Sequence, residues 1–211
     1  MRLGRSFYCR GPEEVALDLL GKLMIHESPE GRTSGIVVET EAYLGRGDRA
    51  SHGYGGRRTP RMEPLYGECG RAYVYVAHGH ALFNVVVAPP GEPTAVLIRA
   101  LEPREGVELM ARRRGVGDPR LLCSGPGRLT EAMGITKEHN GVDLVEGPIY
   151  FEDVGLEVDP GSVARTPRVG VDYAGEDALL PLRFCLADSP YLSRPASPRP
   201  RRTSRQRAGG G

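Results

Sequence analysis

The sequence predicts one α+β domain around a central, mostly antiparallel β-sheet. Three observations carry that reading. β-Rich segments follow one another closely between residues 72 and 101, with only short turn signals between them, as hairpins do. The helical patterns are short. No internal repeat divides the chain, and 211 residues suffice for one large domain or two small ones. A hydrophobic content of 39% supports a real core, while 29 Gly and 18 Pro imply many loops and turns.

Each element has a local cause. Residues 12–21 read as the first helix: Pro12 suits the first helical position, Glu13 and Glu14 suit the positive helix start, and Gly21 suits its end. Val15, Ala16, Leu19 and Leu20 supply its apolar stripe. Residues 22–27 and 34–43 read as strands. Residues 44–70, rich in Gly, Arg and Pro, read as a long loop, and such loops inside compact domains are usually functional or disordered. Residues 72–77 alternate Tyr with Val. Residues 82–88 and 94–101 are apolar and branched, joined by the turn cluster Pro89-Pro90-Gly91-Glu92-Pro93. His78-Gly79-His80-Ala81 fits a tight hairpin tip. Helices are expected over 104–113 and 127–133, and short strands near 149–152, 168–172 and 182–187. The folded domain is expected to occupy residues 1–193. Residues 194–211, rich in Pro, Arg, Ser and Gly, are expected to form a disordered tail.

Composition excludes several classes. No apolar run reaches membrane-spanning length, and residues 1–11 lack the apolar stretch of a secretory signal. A soluble intracellular protein is expected. Cys9, Cys69, Cys123 and Cys185 are scattered without a C-x-x-C pair, which argues against structural zinc and against a disulfide framework; reduced thiols are expected. Residues 1–193 carry 22 basic and 27 acidic side chains, a net of −5, so a polyanion would need a local basic patch. Arg46, Arg49, Arg57, Arg58 and Arg61 offer one. Arg suits bidentate phosphate contact, although a genome that favours Arg codons explains the Arg excess equally well.

The most informative stretch is Val38-Glu39-Thr40-Glu41-Ala42-Tyr43-Leu44-Gly45, with His52 close behind. A strand projects alternate residues to opposite faces, so Glu39, Glu41 and Tyr43 share one face and Val38, Thr40 and Ala42 the other. A carboxylate beside a flat ring, with an imidazole nearby, suits a pocket that holds a planar group and activates water. Asn84 and Arg99 interrupt apolar strands. A buried Arg99 requires a carboxylate, a carbonyl or a ligand anion. Blander explanations exist for each: a solvated strand face for Glu41, a surface imidazole for His52, core rings for Tyr73 and Tyr75, a structural salt bridge for Arg99. His78 and His80 suggest a metal, but no third ligand is evident, and no metal site or cofactor is expected.

Longer strings carry a resemblance. They include Leu19-Leu20-Gly21, residues 36–45, Asp48 with His52, and Gly56-Arg57-Arg58-Thr59-Pro60-Arg61. They continue through Tyr73-Val74-Tyr75-Val76, Asn84, Leu97-Ile98-Arg99-Ala100-Leu101-Glu102-Pro103 and Leu122-Cys123-Ser124-Gly125-Pro126. Arg168-Val169-Gly170 and Pro181-Leu182-Arg183-Phe184 complete the series. In this order, across residues 11–193, the chain resembles the alkyladenine (3-methyladenine) DNA glycosylases. The resemblance implies a curved antiparallel sheet with a β-hairpin that protrudes into the DNA minor groove. It implies excision of alkylated purines, and in some members of hypoxanthine or ethenoadenine, from double-stranded DNA by a monomeric enzyme. Such an enzyme must extrude the nucleotide and fill the vacated stack. By the same resemblance Glu41 activates water, Arg99 lies by that water and the nucleotide's phosphate, Tyr43, His52 and Tyr75 hold the base, and Asn84 on the pocket floor obstructs guanine's amino group. Arg57, Arg58 and Arg61 are candidates for backbone contacts. The location implied is cytoplasmic and nucleoid-associated in a prokaryote, nuclear otherwise.

One departure stands out. The family usually places Tyr-Gly-Met at the hairpin tip, with the Tyr intercalating. Here His78 takes the wedge position and the tip is one residue shorter. The only lysines, Lys22 and Lys137, lie outside every quoted string, which favours a water-using, monofunctional enzyme over one that cleaves the strand through a Schiff base. The H-x-E and P-C-x-x-C signatures of zinc deaminases are missing. Two other readings stay open: a non-catalytic lesion-binding module, and a carbohydrate glycosidase using Glu39 and Glu41, which lie roughly 6.5 Å apart on a strand.

Overall fold

The computed structural model describes residues 1–196. All of its strand pairings among these residues are antiparallel. Two short helices, α1 (Arg5–Tyr8) and α2 (Pro12–Asp18), precede the first hairpin, β1 (Leu23–Ser28) and β2 (Gly31–Tyr43). The long segment that follows contains three 3₁₀ turns and packs on the sheet. A second hairpin, β3 (Ala72–Ala77) and β4 (His80–Val87), leads to β5 (Thr94–Pro103). Three helices come next: α3 (Val107–Arg114), α4 (Pro119–Leu122) and α5 (Pro126–Met133). Three short strands, β6 (Ile149–Glu152), β7 (Val163–Thr166) and β8 (Arg183–Leu186), complete the sheet, with a 3₁₀ segment at Asp172–Leu179 between the last two. The strand order is β3-β4-β5-β2-β1-β6, and β8 joins the far half of β2 with β7 outside it. The expected α+β domain around one curled antiparallel sheet is thus present.

The helices cover one face. Val15, Leu19, Phe83, Ile98, Met110, Leu129, Phe151 and Phe184 meet there in the main core. Truncating any one of these to Ala would cost about 2–5 kcal/mol by lost transfer energy and the cavity left behind. The opposite face carries smaller apolar clusters, one around Met62, Leu65 and Tyr73 and another around Ala50 and Val171, beneath the long 44–70 segment and the 168–179 segment. Between these two coverings the sheet is left open.

Several expectations need correction. The third helix starts at Val107, because β5 runs on to Pro103 and Gly106 sits in the left-handed region (φ 70°), which the chain needs to turn. Residues 168–172 do not form a strand; Arg168 is drawn into a buried ion pair, and the segment leaves the sheet. The 44–70 segment is ordered. The hairpin tip is a two-residue turn, His78-Gly79, with both residues at positive φ and Ala77 opposite His80. Cys9 and Cys69 form a disulfide across a Cα separation of 5.3 Å, so these two thiols are not free; Cys123 and Cys185 are free and buried. Sequence spacing missed the bridge because the chain folds back over 60 residues to make it. Of the expected tail, residues 197–211 lie outside the described residues.

β2 carries the main irregularity. Its register with β5 shifts on both sides of Glu39, leaving Val38 on one strand and Arg99 on the other without a directly paired residue. Bulges of this kind re-aim side chains. Strict alternation therefore holds from Glu39 to Tyr43 but breaks at Val38. Val37 and Ala42 face the main core, while Val38 packs separately with Ile36 and Ala100.

Candidate active site

One ladder row crosses five strands: Tyr73 on β3 faces Asn84 on β4, Asn84 faces Leu97 on β5, Leu97 faces Glu41 on β2, and Glu41 faces Arg183 on β8. Along this row, on the open face, lies a cavity of about 440 Å³. Tyr43, His52, Tyr75, His78, Asn84 and Arg99 all line it. The strands and the 44–70 segment thus bring together residues that the sequence scatters over 57 positions.

Glu41 has no exposed surface and stands immediately behind the cavity wall. Its carboxylate accepts the Val169 N–H at 2.7 Å and the Tyr43 hydroxyl at 2.8 Å. Arg99 Nη1 lies 3.4 Å from Oε1. Tyr43, Val169 and Arg99 are themselves cavity-lining, so Glu41 is one side chain away from any occupant. Burial and the adjoining Glu41 hold the Tyr43 phenol well above its usual pKa, so it stays a donor. Burial opposes the charge on Arg99, but Glu41 and Glu39 outweigh it and keep the guanidinium protonated.

The cavity walls are aromatic. His52 and Tyr75 touch, with ring centroids 4.3 Å apart, and His52 Nδ1 lies 2.8 Å from the Tyr73 hydroxyl. Rings that close leave no room for a base between them, so His52 and Tyr75 form a single wall. Among the described residues Tyr43 makes no ring–ring contact and stands apart from that wall. His52 keeps an exposed edge, but partial burial of its ring, with Arg61 and Arg57 nearby, lowers its pKa and favours the neutral imidazole. Burial raises the Tyr73 phenol to about 12. Asn84 is buried, and its amide nitrogen donates to the carbonyls of Tyr73 (3.1 Å) and Leu82 (3.4 Å), leaving Oδ1 as the atom available to a ligand. His78 is exposed at the tip of the hairpin. Arg57 and Arg61 are exposed as well; Arg58 is already engaged by both oxygens of Glu63 (2.9 and 2.6 Å).

The spacing of Glu39 and Glu41 also invited a paired-carboxylate mechanism. Both Glu39 oxygens are occupied by Arg99, Arg183 and Ser193, so no second carboxylate faces the cavity. No cluster of three or more His, Cys, Asp or Glu side chains among the described residues suits a metal ion.

A family model described as methylpurine-DNA glycosylase matches residues 6–190. The chain belongs to that family. Three relatives, each provisionally named a 3-methyladenine DNA glycosylase, align along almost their whole lengths. The Bacillus subtilis protein is 46% identical over 189 residues, covering 90% of this chain and 95% of the relative. That of Desulfitobacterium hafniense is 46% identical over 201 residues (91% and 98%), and that of Methanoculleus marisnigri 47% over 197 residues (92% and 100%). The chain is a DNA N-glycosylase acting in repair of alkylated DNA. No helix among its described residues is long and apolar enough to cross a membrane.

This glycosylase has buried residues around the candidate site whose partners sequence reading did not foresee. Arg168 and Asp48 form a bidentate pair (2.6 and 2.8 Å), with side chains 0% and 1% exposed. Arg168 also stacks on Tyr43, its guanidinium carbon 4.8 Å from the ring centroid. Val169 supplies a backbone donor to Glu41. Glu39 accepts from both Arg99 and Arg183. All stood inside the quoted strings, but nothing in the spacing of residue 48 and residue 168 told that they would meet.

Proposed function

We propose that this glycosylase extrudes an alkylated purine nucleotide from double-stranded DNA into the aromatic cavity and hydrolyses its N-glycosidic bond, leaving an abasic site. The observation that carries the reading is the placement of Glu41, a buried carboxylate directly behind a base-sized aromatic cavity, between Tyr43 and Arg99.

The proposed chemistry is simple. Glu41 accepts a proton from water as that water attacks C1′ of the sugar. The C1′–N bond breaks, and its electron pair leaves with the base. A cationic alkylpurine departs as a neutral base, so bond lability contributes to selection. The Glu41 carboxylate also stabilises positive charge that develops on the sugar. The Tyr43 hydroxyl contact to Glu41 must loosen or be shared for water to reach the carboxylate. Tyr43 forms one face of the base slot and the His52–Tyr75 wall the other; electron-rich rings on both sides suit an electron-poor base. Asn84 limits the floor against guanine's amino group. His78 fills the vacated stack. Arg57 and Arg61 meet the DNA backbone, and Arg58 joins them only by giving up Glu63. Neither lysine lines the cavity, which supports a monofunctional enzyme; the proposed enzyme acts as a monomer without a cofactor.

The deciding experiment is excision by purified protein from duplexes that each carry one lesion: 3-methyladenine, 7-methylguanine, hypoxanthine or ethenoadenine. Release of at least one alkylpurine, with an intact abasic strand, is expected. Strand cleavage trapped by borohydride, or binding without release of any lesion, overturns the reading.

A further inference from the structure

Glu39 has no part in the chemistry above, yet it is heavily engaged next to it. It has no exposed surface. Its Oε1 accepts hydrogen bonds from Arg99 Nε (2.8 Å), Arg183 Nε (2.8 Å) and Ser193 Oγ (2.7 Å), and its Oε2 accepts the Ser193 backbone N–H (2.7 Å). Burial alone would raise its pKa, but Arg99 and Arg183 reverse this and hold it below the usual carboxylate range. Arg99 also donates through Nη2 to Ser193 Oγ at 3.1 Å. Each nitrogen of the Arg99 guanidinium thus has its own partner: Glu39 for Nε, Ser193 for Nη2, Glu41 for Nη1.

A guanidinium is a rigid plane, so fixing two of its nitrogens fixes the third. Arginine beside a lone carboxylate tends to form a fork with both oxygens. That arrangement would add a charged donor to Oε2, the oxygen that already accepts the Tyr43 hydroxyl and is the one left to share with water. Here Glu39 draws the group sideways, and only Nη1 approaches Glu41, at 3.4 Å. The holder is itself held. Arg183 braces Glu39 and also donates to Thr166 Oγ1 (3.1 Å) and the Arg194 carbonyl (2.6 Å). Ser193 sits in a C-terminal strap whose Tyr191 and Leu192 pack on Ile36, Val38 and Ala100. The strap lies beyond residue 190, where the family match ends.

We propose that Glu39 is the positioning residue of this active site and that Ser193, on the C-terminal strap, completes the clamp that turns Arg99 away from a fork on Glu41. The proposal rests on the reading of Glu41 as the residue that activates water.

The test is single-turnover excision by the full chain, on whichever lesion the unaltered protein releases fastest, for Glu39→Gln and Ser193→Ala. Glu39→Gln keeps the shape and removes the charge that competes with Glu41. The expected result is a rate constant lowered about tenfold or more for Glu39→Gln, and by a smaller factor for Ser193→Ala. The reaction amplitude and the affinity for an abasic-site duplex should stay near those of the unaltered protein. A purely structural ion pair gives a different pattern: stability is lost, as it is whenever one member of a buried pair is neutralised, but the rate constant is unchanged in the molecules that remain folded. That pattern overturns the proposal. If Glu39→Gln does not fold, Ser193→Ala decides, since it removes one half-buried hydroxyl; an unchanged rate constant overturns the proposal. Failure of the unaltered protein to release any lesion is a separate outcome: it removes the water-activation reading, and this inference with it.

Discussion

Arg168 lies over the ring of Tyr43, its guanidinium carbon 4.8 Å from the ring centroid. Both of its terminal nitrogens are held by Asp48, so the charge behind the ring is neutralised by a partner that is itself buried. Tyr43 is thereby backed on one side by a neutral ion pair while it helps to line the cavity.

Breaking that pair from one side leaves an uncompensated buried charge. Asp48→Asn is therefore expected to destabilise the fold by about 3–5 kcal/mol, read from urea unfolding. A loss below about 1 kcal/mol, the range of surface pairs, would show that solvent reaches Arg168 after all.

Removing the charge of the carboxylate behind the cavity should stop chemistry without stopping binding. Glu41→Gln is expected to lower the single-turnover excision rate by about 100-fold or more, while an abasic-site analogue still binds. Retention of most of the rate would return Glu41 to a structural role. Loss of binding together with excision would make Glu41 a binding or folding residue, and a titration of folded protein separates these two.

His52 predicts an acid-sensitive site. Its folded pKa lies below the ordinary 6.5 because partial burial, then Arg61 and Arg57, disfavour the imidazolium, an effect that solvent at its exposed edge weakens. The unfolded chain binds the proton first as pH falls, so stability is complete above about 6.5 and declines below it. Melting temperature measured from about pH 7.5 down to about pH 5 should fall more steeply for the unaltered protein than for His52→Gln, which has no such proton to take up. Parallel curves would show that His52 does not titrate in this window.

As the proposed wedge, the His78 imidazole at the two-residue tip is smaller than a tyrosine ring. His78→Tyr is expected to favour the extruded nucleotide, by up to about 1–3 kcal/mol if the added ring area stacks fully. Fluorescence of 2-aminopurine placed beside a lesion reports this directly. No change in fluorescence or excision would remove His78 from that role.

Much was legible in the chain itself. Alternation along residues 39–43 put Glu41 and Tyr43 on one face, and the apolar runs marked β3, β4 and β5 to within a few residues. Asn84 and Arg99, polar residues in apolar strands, announced a site because burying them without partners is costly. Their partners were not legible. Arg99 meets Glu39 through a bulge that alternation does not foresee, and Asp48 meets Arg168 from 120 positions away.

The sequence by itself determined most of the strands, the shared face of Glu39, Glu41 and Tyr43, and which family the chain resembles, because these depend on local periodicity and on order along the chain. Only the tertiary structure decided that Glu41 stands behind the cavity wall, that Glu39 is consumed by Arg99, Arg183 and Ser193, and that Cys9 finds Cys69. Those facts arise from contacts between segments far apart in the chain, where packing and charge pairing, not local preference, select the partner.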